Sequence, residues 1–169
     1  MMASKQKLII VTGSPCVGKT TVTQALFADY KNSAFFDGDW AWCVNPFSVD
    51  DARRINGAKT MSFALATYLN SGFDYVFFSS VVAVDRTIRE TILNDISAKD
   101  YSVLGFTLTR SEETLYERYK KRGDSNECSF FWLHLKPCKG DHVIQTDHKS
   151  VREIADEMRA IIDHEGNES

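Results

Sequence analysis

Three observations predict an α/β fold for this chain of 169 residues, with a five-stranded parallel sheet flanked by helices. Five short apolar or β-branched runs alternate with segments of helical period, the pattern of strand-helix-strand units. The first run empties into a glycine-rich turn that opens a helix. Hydrophobic residues at 43% and charged residues at 25% are the balance of a solvated globular core. A chain this long buries about 70% of the surface that its unfolded form exposes, so neither disulfides nor metal are needed for stability. One domain over residues 1–169 is the expectation.

Lys7 to Val11 reads as the first strand, ended by Thr12-Gly13, and Thr20 to Tyr30 as the helix after the turn. Ala34 to Phe36 gives a second strand, stopped by Asp37-Gly38-Asp39. Ser48 to Asn70 reads as mainly helical, with Met61, Leu65, Tyr68 and Leu69 on one face and Gly72 closing it. Tyr75 to Phe78 is a third strand, and Asp85 to Ile96 a helix through Ile88, Ile92 and Ile96. After a fourth strand, Tyr101 to Leu108, Ser111 caps a helix with acidic Glu112 and Glu113 at its start and Lys120, Lys121 and Arg122 at its end, as the helix dipole favours. Residues 123–141 are irregular and long for a mere connection, which suggests a functional lid. His142 to Gln145 is the fifth strand, and Ser150 with Glu153 forms a capping box on a helix striped by Val151, Ile154, Ala155, Met158, Ile161 and Ile162.

The charge balance excludes some classes of partner. With 20 Lys and Arg against 23 Asp and Glu, a net charge of −3 offers no general attraction to nucleic acid. Apolar runs fall short of the ~20 residues that span a bilayer, and the five apolar-rich residues after the N-terminal MMASKQK are too few for a secretory signal. The expected compartment is the cytoplasm, where Cys16, Cys43, Cys128 and Cys138 would stay reduced.

Gly13-Ser14-Pro15-Cys16-Val17-Gly18-Lys19-Thr20 satisfies G-x-x-x-x-G-K-[ST] between an apolar strand and a helix start. The glycines let successive amide N–H groups turn inward around a phosphate, and the helix terminus adds about half a positive charge. Lys19 can reach the β- and γ-phosphates, and the Thr20 hydroxyl can ligate Mg²⁺, so residues 13–20 with Thr21 form the expected ATP cradle. Ligands in parallel sheets gather at the carboxyl ends of strands, so Asp37 and Asp39 should face those phosphates. One carboxylate can hold Mg²⁺ through water while the other accepts a proton from an attacking hydroxyl.

On the glycine loop, the D-x-D after the second strand and the short length, the chain resembles the P-loop family of small-molecule and nucleotide kinases, such as the shikimate, gluconate, chloramphenicol and adenylate types. The resemblance implies strand order 2-3-1-4-5, ATP and Mg²⁺ as donor, a mobile lid at about 118–141 and an acceptor-binding region at about 38–72. It gives Asp37 to metal and its water, and Asp39 to the acceptor hydroxyl as general base, with their order left open. Arg118 and Arg122 match an R-x-x-x-R in which the first arginine stacks on adenine and the second contacts phosphate. Thr146 and His148 lie where the family wraps the adenine edge with backbone groups. One departure is that Phe77-Phe78-Ser79-Ser80 lacks the acidic residue that P-loop ATPases place after this strand. There is no N-K-x-D motif for guanine.

Trp40, Trp42, Pro46 and Phe47 follow the acidic pair in the expected acceptor region, as do Arg53, Arg54 and Asn56. A nucleoside monophosphate acceptor would need arginines, with Arg53, Arg54 and Arg86 available, whereas a neutral metabolite would not. Arg89 is expected to be exposed. Cys128, His134, Cys138 and His142 have spacings of six, four and four, a loose match to zinc sites without a C-x-x-C knuckle. The expected function is ATP-dependent phosphoryl transfer to a small-molecule or nucleotide acceptor. The alternative is a nucleotide-responsive binding module, which the missing acidic residue favours and the acidic pair opposes.

Overall fold

The computed structural model describes residues 6–48, 50–123 and 130–166. Five parallel strands, β1 (Gln6–Gly13), β2 (Ser33–Asp37), β3 (Tyr75–Ser79), β4 (Tyr101–Thr109) and β5 (His142–Gln145), pair in the order β2-β3-β1-β4-β5. This is the expected order. The apolar β1 lies at the centre, with Ile9 opposite Phe77 on β3 and Leu104 on β4. Its side chains alternate between two cores. Ile9 and Val11 pack with α1 (Lys19–Asp29) and α6 (Val151–Gly166), while Leu8 and Ile10 face the layer of α2 (Asn56–Asn70) and α3 (Arg86–Asn94). Helices thus cover both faces, as a sheet apolar on each side requires.

Side-chain caps fix several helix starts. The Ser150 and Glu153 capping box forms, with Ser150 N donating to Glu153 Oε2 at 2.8 Å and Glu153 N to Ser150 Oγ at 3.2 Å. Ser111 caps α4 (Glu112–Arg122) and Asp85 caps α3 through the Ile88 amide at 3.0 Å. The helix expected from Ser48 starts later, because Asp51 accepts the Arg53 amide at 2.9 Å and so caps a single 3-10 turn, Ala52–Ile55, ahead of α2. Among the described residues of the stretch expected to be irregular lies one short helix, α5 (Phe131–His134). Among the described residues, no helix is long and apolar enough to cross a membrane.

Candidate active site

Functional side chains collect at the carboxyl ends of β1, β2 and β3, where parallel pairing sets Asp37 beside Ser79 and Ser79 beside Val11. Gly13 leaves β1 at φ 138°, and a Cβ there would lie 2.3 Å from the Leu108 carbonyl oxygen, so only glycine lets the loop cross β4. The loop continues through Cys16 at φ 64° and Gly18 at φ 105° into α1, whose N-terminus has no side-chain cap. Its first amides are therefore left to an anion. Lys19 Nζ donates to the Ser14 carbonyl at 2.9 Å, lying back along the loop. Burial pushes the Lys19 ammonium from 10.5 down to about 8, against the pull of Asp39, Asp37 and Cys16. Val17 points into the core and Pro15 is half-buried, so these two can serve a ligand chiefly through the backbone; Thr21 is exposed on the first turn.

The acidic turn is tied to this loop. The Thr20 hydroxyl donates to Asp37 Oδ2 at 2.8 Å, and the Asp39 amide donates to Asp37 Oδ1 at 3.0 Å. The turn sits this close because residue 38 is glycine, where a Cβ would come within 2.8 Å of Ser80 Oγ. Both oxygens of Asp37 are thus engaged, one by the residue suited to a metal. Desolvation first, and then the charge of Asp37, raise the Asp39 carboxyl above the usual range, while Lys19 and Arg122 oppose the rise. Where the acidic residue is missing, Ser79 Oγ lies 3.5 Å from Thr20 Oγ1, near enough to share a ligand shell with Thr20 and Asp37.

The α4 arginines reach the same loop. A Cβ on Gly18 would stand 3.5 Å from Arg118 Nη1, and Arg122 Nη1 lies 3.7 Å from Cys16 Sγ. One helical turn apart, they share a face of α4. The stretch after β5 is held by a residue that the sequence reading passed over. Arg110 is buried and donates to Thr146 Oγ1 at 3.0 Å and to the Thr146 carbonyl at 2.7 Å. An arginine following directly on an apolar strand was its one visible sign. Thr146 is wholly buried and its hydroxyl bonds the Thr109 carbonyl at 3.0 Å, so its side chain is spent on the fold. His148 is exposed at φ 59°. Asp147 accepts from Ser111 N at 2.8 Å and Thr114 Oγ1 at 2.6 Å, pinning this loop to the start of α4.

Arg89 is a correction. It is buried and forms a forked pair with Asp141 at 2.5 and 2.9 Å, while Thr107 Oγ1 donates to the same carboxylate at 2.7 Å. The sheet leaves room for this pair over Gly105, and it neutralises a charge that could not be buried alone. The loose metal set is dispersed where described: His134 pairs with Glu112 at 2.6 Å, His142 with Glu165 at 3.0 Å, and Cys138 Sγ lies 3.7 Å from the Val84 carbonyl. Cys128 lies outside the described residues.

A family model described as an AAA domain matches residues 9–130. No curated protein sequence matches the chain. Among solved structures, the Deinococcus radiodurans tunicamycin resistance protein superposes with a TM-score of 0.72 at 18% identity, over 94% of this chain and 96% of that one. The Mycobacterium tuberculosis APS kinase, in complex with AMPPNP and APS, gives 0.70 at 14% identity over 95% and 99%. A gluconokinase from Sinorhizobium meliloti gives 0.68 at 18% identity over 98% and 95%. The fold is that of P-loop kinases.

Proposed function

This chain belongs to the AAA domain family, and from that premise we propose that it is an ATP-dependent phosphotransferase acting on the hydroxyl of a small molecule. The observation that carries the reading is the 2.8 Å hydrogen bond from Thr20 to Asp37, which couples a phosphate-binding loop to an acidic turn. A loop that only bound nucleotide would have no need of the second carboxylate beside it. The nucleotide fits what the residues offer: an uncapped helix start, a half-buried, desolvated ammonium and two arginines on one helix face.

Magnesium, when bound, would supply positive charge that offsets the negative charge developing on the phosphates. Thr20 and Asp37 would hold it, directly or through water, with Ser79 at the edge of that shell. Lys19 and Arg122 stabilise the negative charge of the transferring group, and Arg118 offers a flat guanidinium face to the base. Asp39 has a carboxyl more basic than usual, raised chiefly by desolvation, so it takes the proton of the acceptor hydroxyl. The acceptor oxygen then bonds to the γ-phosphorus, the bond from that phosphorus to the β-γ bridging oxygen breaks, and ADP leaves. The cytoplasm, rich in ATP and Mg²⁺, is the compartment that this reading assigns, and the described residues of the lid region, 118–123 and 130–141, keep competing water out.

Lys19→Ala tests the reading: label from γ-labelled ATP should no longer reach any acceptor, while the far-UV spectrum and melting cooperativity persist. Retained transfer at saturating ATP would refute it. Ser79 and Ser80 at the end of β3 favour one other reading, a nucleotide-responsive module that signals without transfer. Nucleotide-dependent capture of a partner with no label transfer would select that module.

A further inference from the structure

The charges around the site are unevenly shared, and this bears on the acceptor if the phosphotransferase reading holds. Lys19, Arg118 and Arg122 all gather on the donor side, at the loop and α4. On the acceptor side, every arginine that could grip an anion is already engaged. Arg53 lies 2.8 Å from Asp51, Arg86 lies 2.7 Å from Glu90, and Arg89 lies 2.5 Å from Asp141. Arg54 also has an interaction of its own. Of the two carboxylates on that side, Asp37 is given to the metal and Asp39 to the acceptor hydroxyl, and a phosphate or carboxylate beside Asp39 would meet like charge.

The steric evidence points the same way. A cavity of about 70 Å³ lies between the start of the glycine loop and the segment after α5, walled by Val84, Leu108, Trp132, Leu135 and Val143. One water needs only about 10–15 Å³ of such space, so a small alkyl group or ring edge fits. Ser14 also lines the cavity; it is 1% exposed and its hydroxyl has no hydrogen-bond partner among the described residues. A buried hydroxyl without a protein partner can hydrogen-bond a ligand that enters beside it. The walls belong to the start of the glycine loop, the β3–α3 connection, the end of β4, α5 and the segment between α5 and β5, and through Ser14, whose carbonyl accepts from Lys19 Nζ at 2.9 Å, the cavity adjoins the phosphate-binding lysine.

We infer that the acceptor is an uncharged hydroxyl compound bearing a small apolar group, which the cavity beside Ser14 receives, and not a phosphate ester or sugar acid. The test compares matched probes with γ-labelled ATP and Mg²⁺: nucleosides against their own 5′-monophosphates, and neutral aryl diols against gluconate. Label should enter the neutral member, with kcat/KM at least a hundredfold above that of its charged counterpart. Val84→Phe, which fills the cavity from the β3–α3 side, should raise the acceptor KM at least tenfold with the ATP KM unchanged. Val143→Phe fills it from β5 and serves if the first variant does not fold. Preference for the phosphorylated or carboxylated probe, or an acceptor KM indifferent to the filling variants, would overturn the inference and leave the phosphotransferase standing. Label in none of the acceptors, with ATP bound, would overturn both.

Discussion

Lys19 provides the sharpest test, because its protonation links the fold to nucleotide binding. In the unfolded chain its ammonium holds a proton up to about 10.5, and in the folded protein only up to about 8, through burial. Between those values the unfolded state binds more protons, so the stability of the ligand-free protein should rise with pH from about 8 to about 10.5. Below about pH 8 both states are protonated and the desolvation cost is borne in full. A triphosphate beside Nζ reverses the balance by favouring the charged form. Binding should then take up about half a proton per site at pH 8, about one tenth at pH 7 and about nine tenths at pH 9. The apparent affinity should weaken about tenfold between pH 7 and pH 9, or about 1.4 kcal/mol. Titration calorimetry with ATP and Mg²⁺ in buffers of different ionisation enthalpy reads the uptake directly. Lys19→Arg should abolish the uptake, since a guanidinium keeps its proton throughout this range. Uptake that stays flat from pH 7 to pH 9, or that survives in Lys19→Arg, would refute the reasoning.

Further outcomes are expected at four acidic residues. Asp39→Asn should lower kcat by about 10²- to 10⁴-fold with ATP affinity retained, and Asp37→Asn should chiefly raise the Mg²⁺ concentration needed; because the Asp39 carboxyl is raised, wild-type kcat/KM should fall as pH drops through that value, and this acid limb should vanish in Asp39→Asn. Asp141→Ala leaves Arg89 buried without its partner and should cost about 3–5 kcal/mol in urea unfolding, with a loss under about 1 kcal/mol counting against a buried pair. Asp147→Ala removes the bonds to Ser111 and Thr114 and should cost about 1–2 kcal/mol. Although desolvation opposes them, those bonds hold the Asp147 carboxyl below the usual range, so its stabilisation is full above about pH 4, fades as pH falls through the lowered value, and should be missing from the acid melt of the variant.

Much of this molecule could be read along the chain, because the signals involved depend on neighbours. The run from Gly13 to Thr20 needs only its own glycines, lysine and threonine, and the capping box of Ser150 and Glu153 and the apolar stripes span a few residues. Strand order came from likeness to known kinases and from the parallel connections that such units enforce. What the sequence by itself determined was therefore the alternation of strands and helices, the loop and the acidic turn beside it. The tertiary structure alone decided the partners. Arg89 reads as one more helix-surface arginine until folding sets it against Asp141, 52 residues further on, in the space over Gly105. Arg110 gains its purpose only when β5 brings Thr146 alongside, and Ser14 is orphaned only because β4 and the segment after α5 close over it. Propensity and short motifs are set by adjacent residues, whereas burial and pairing depend on which distant segments the packed sheet brings together.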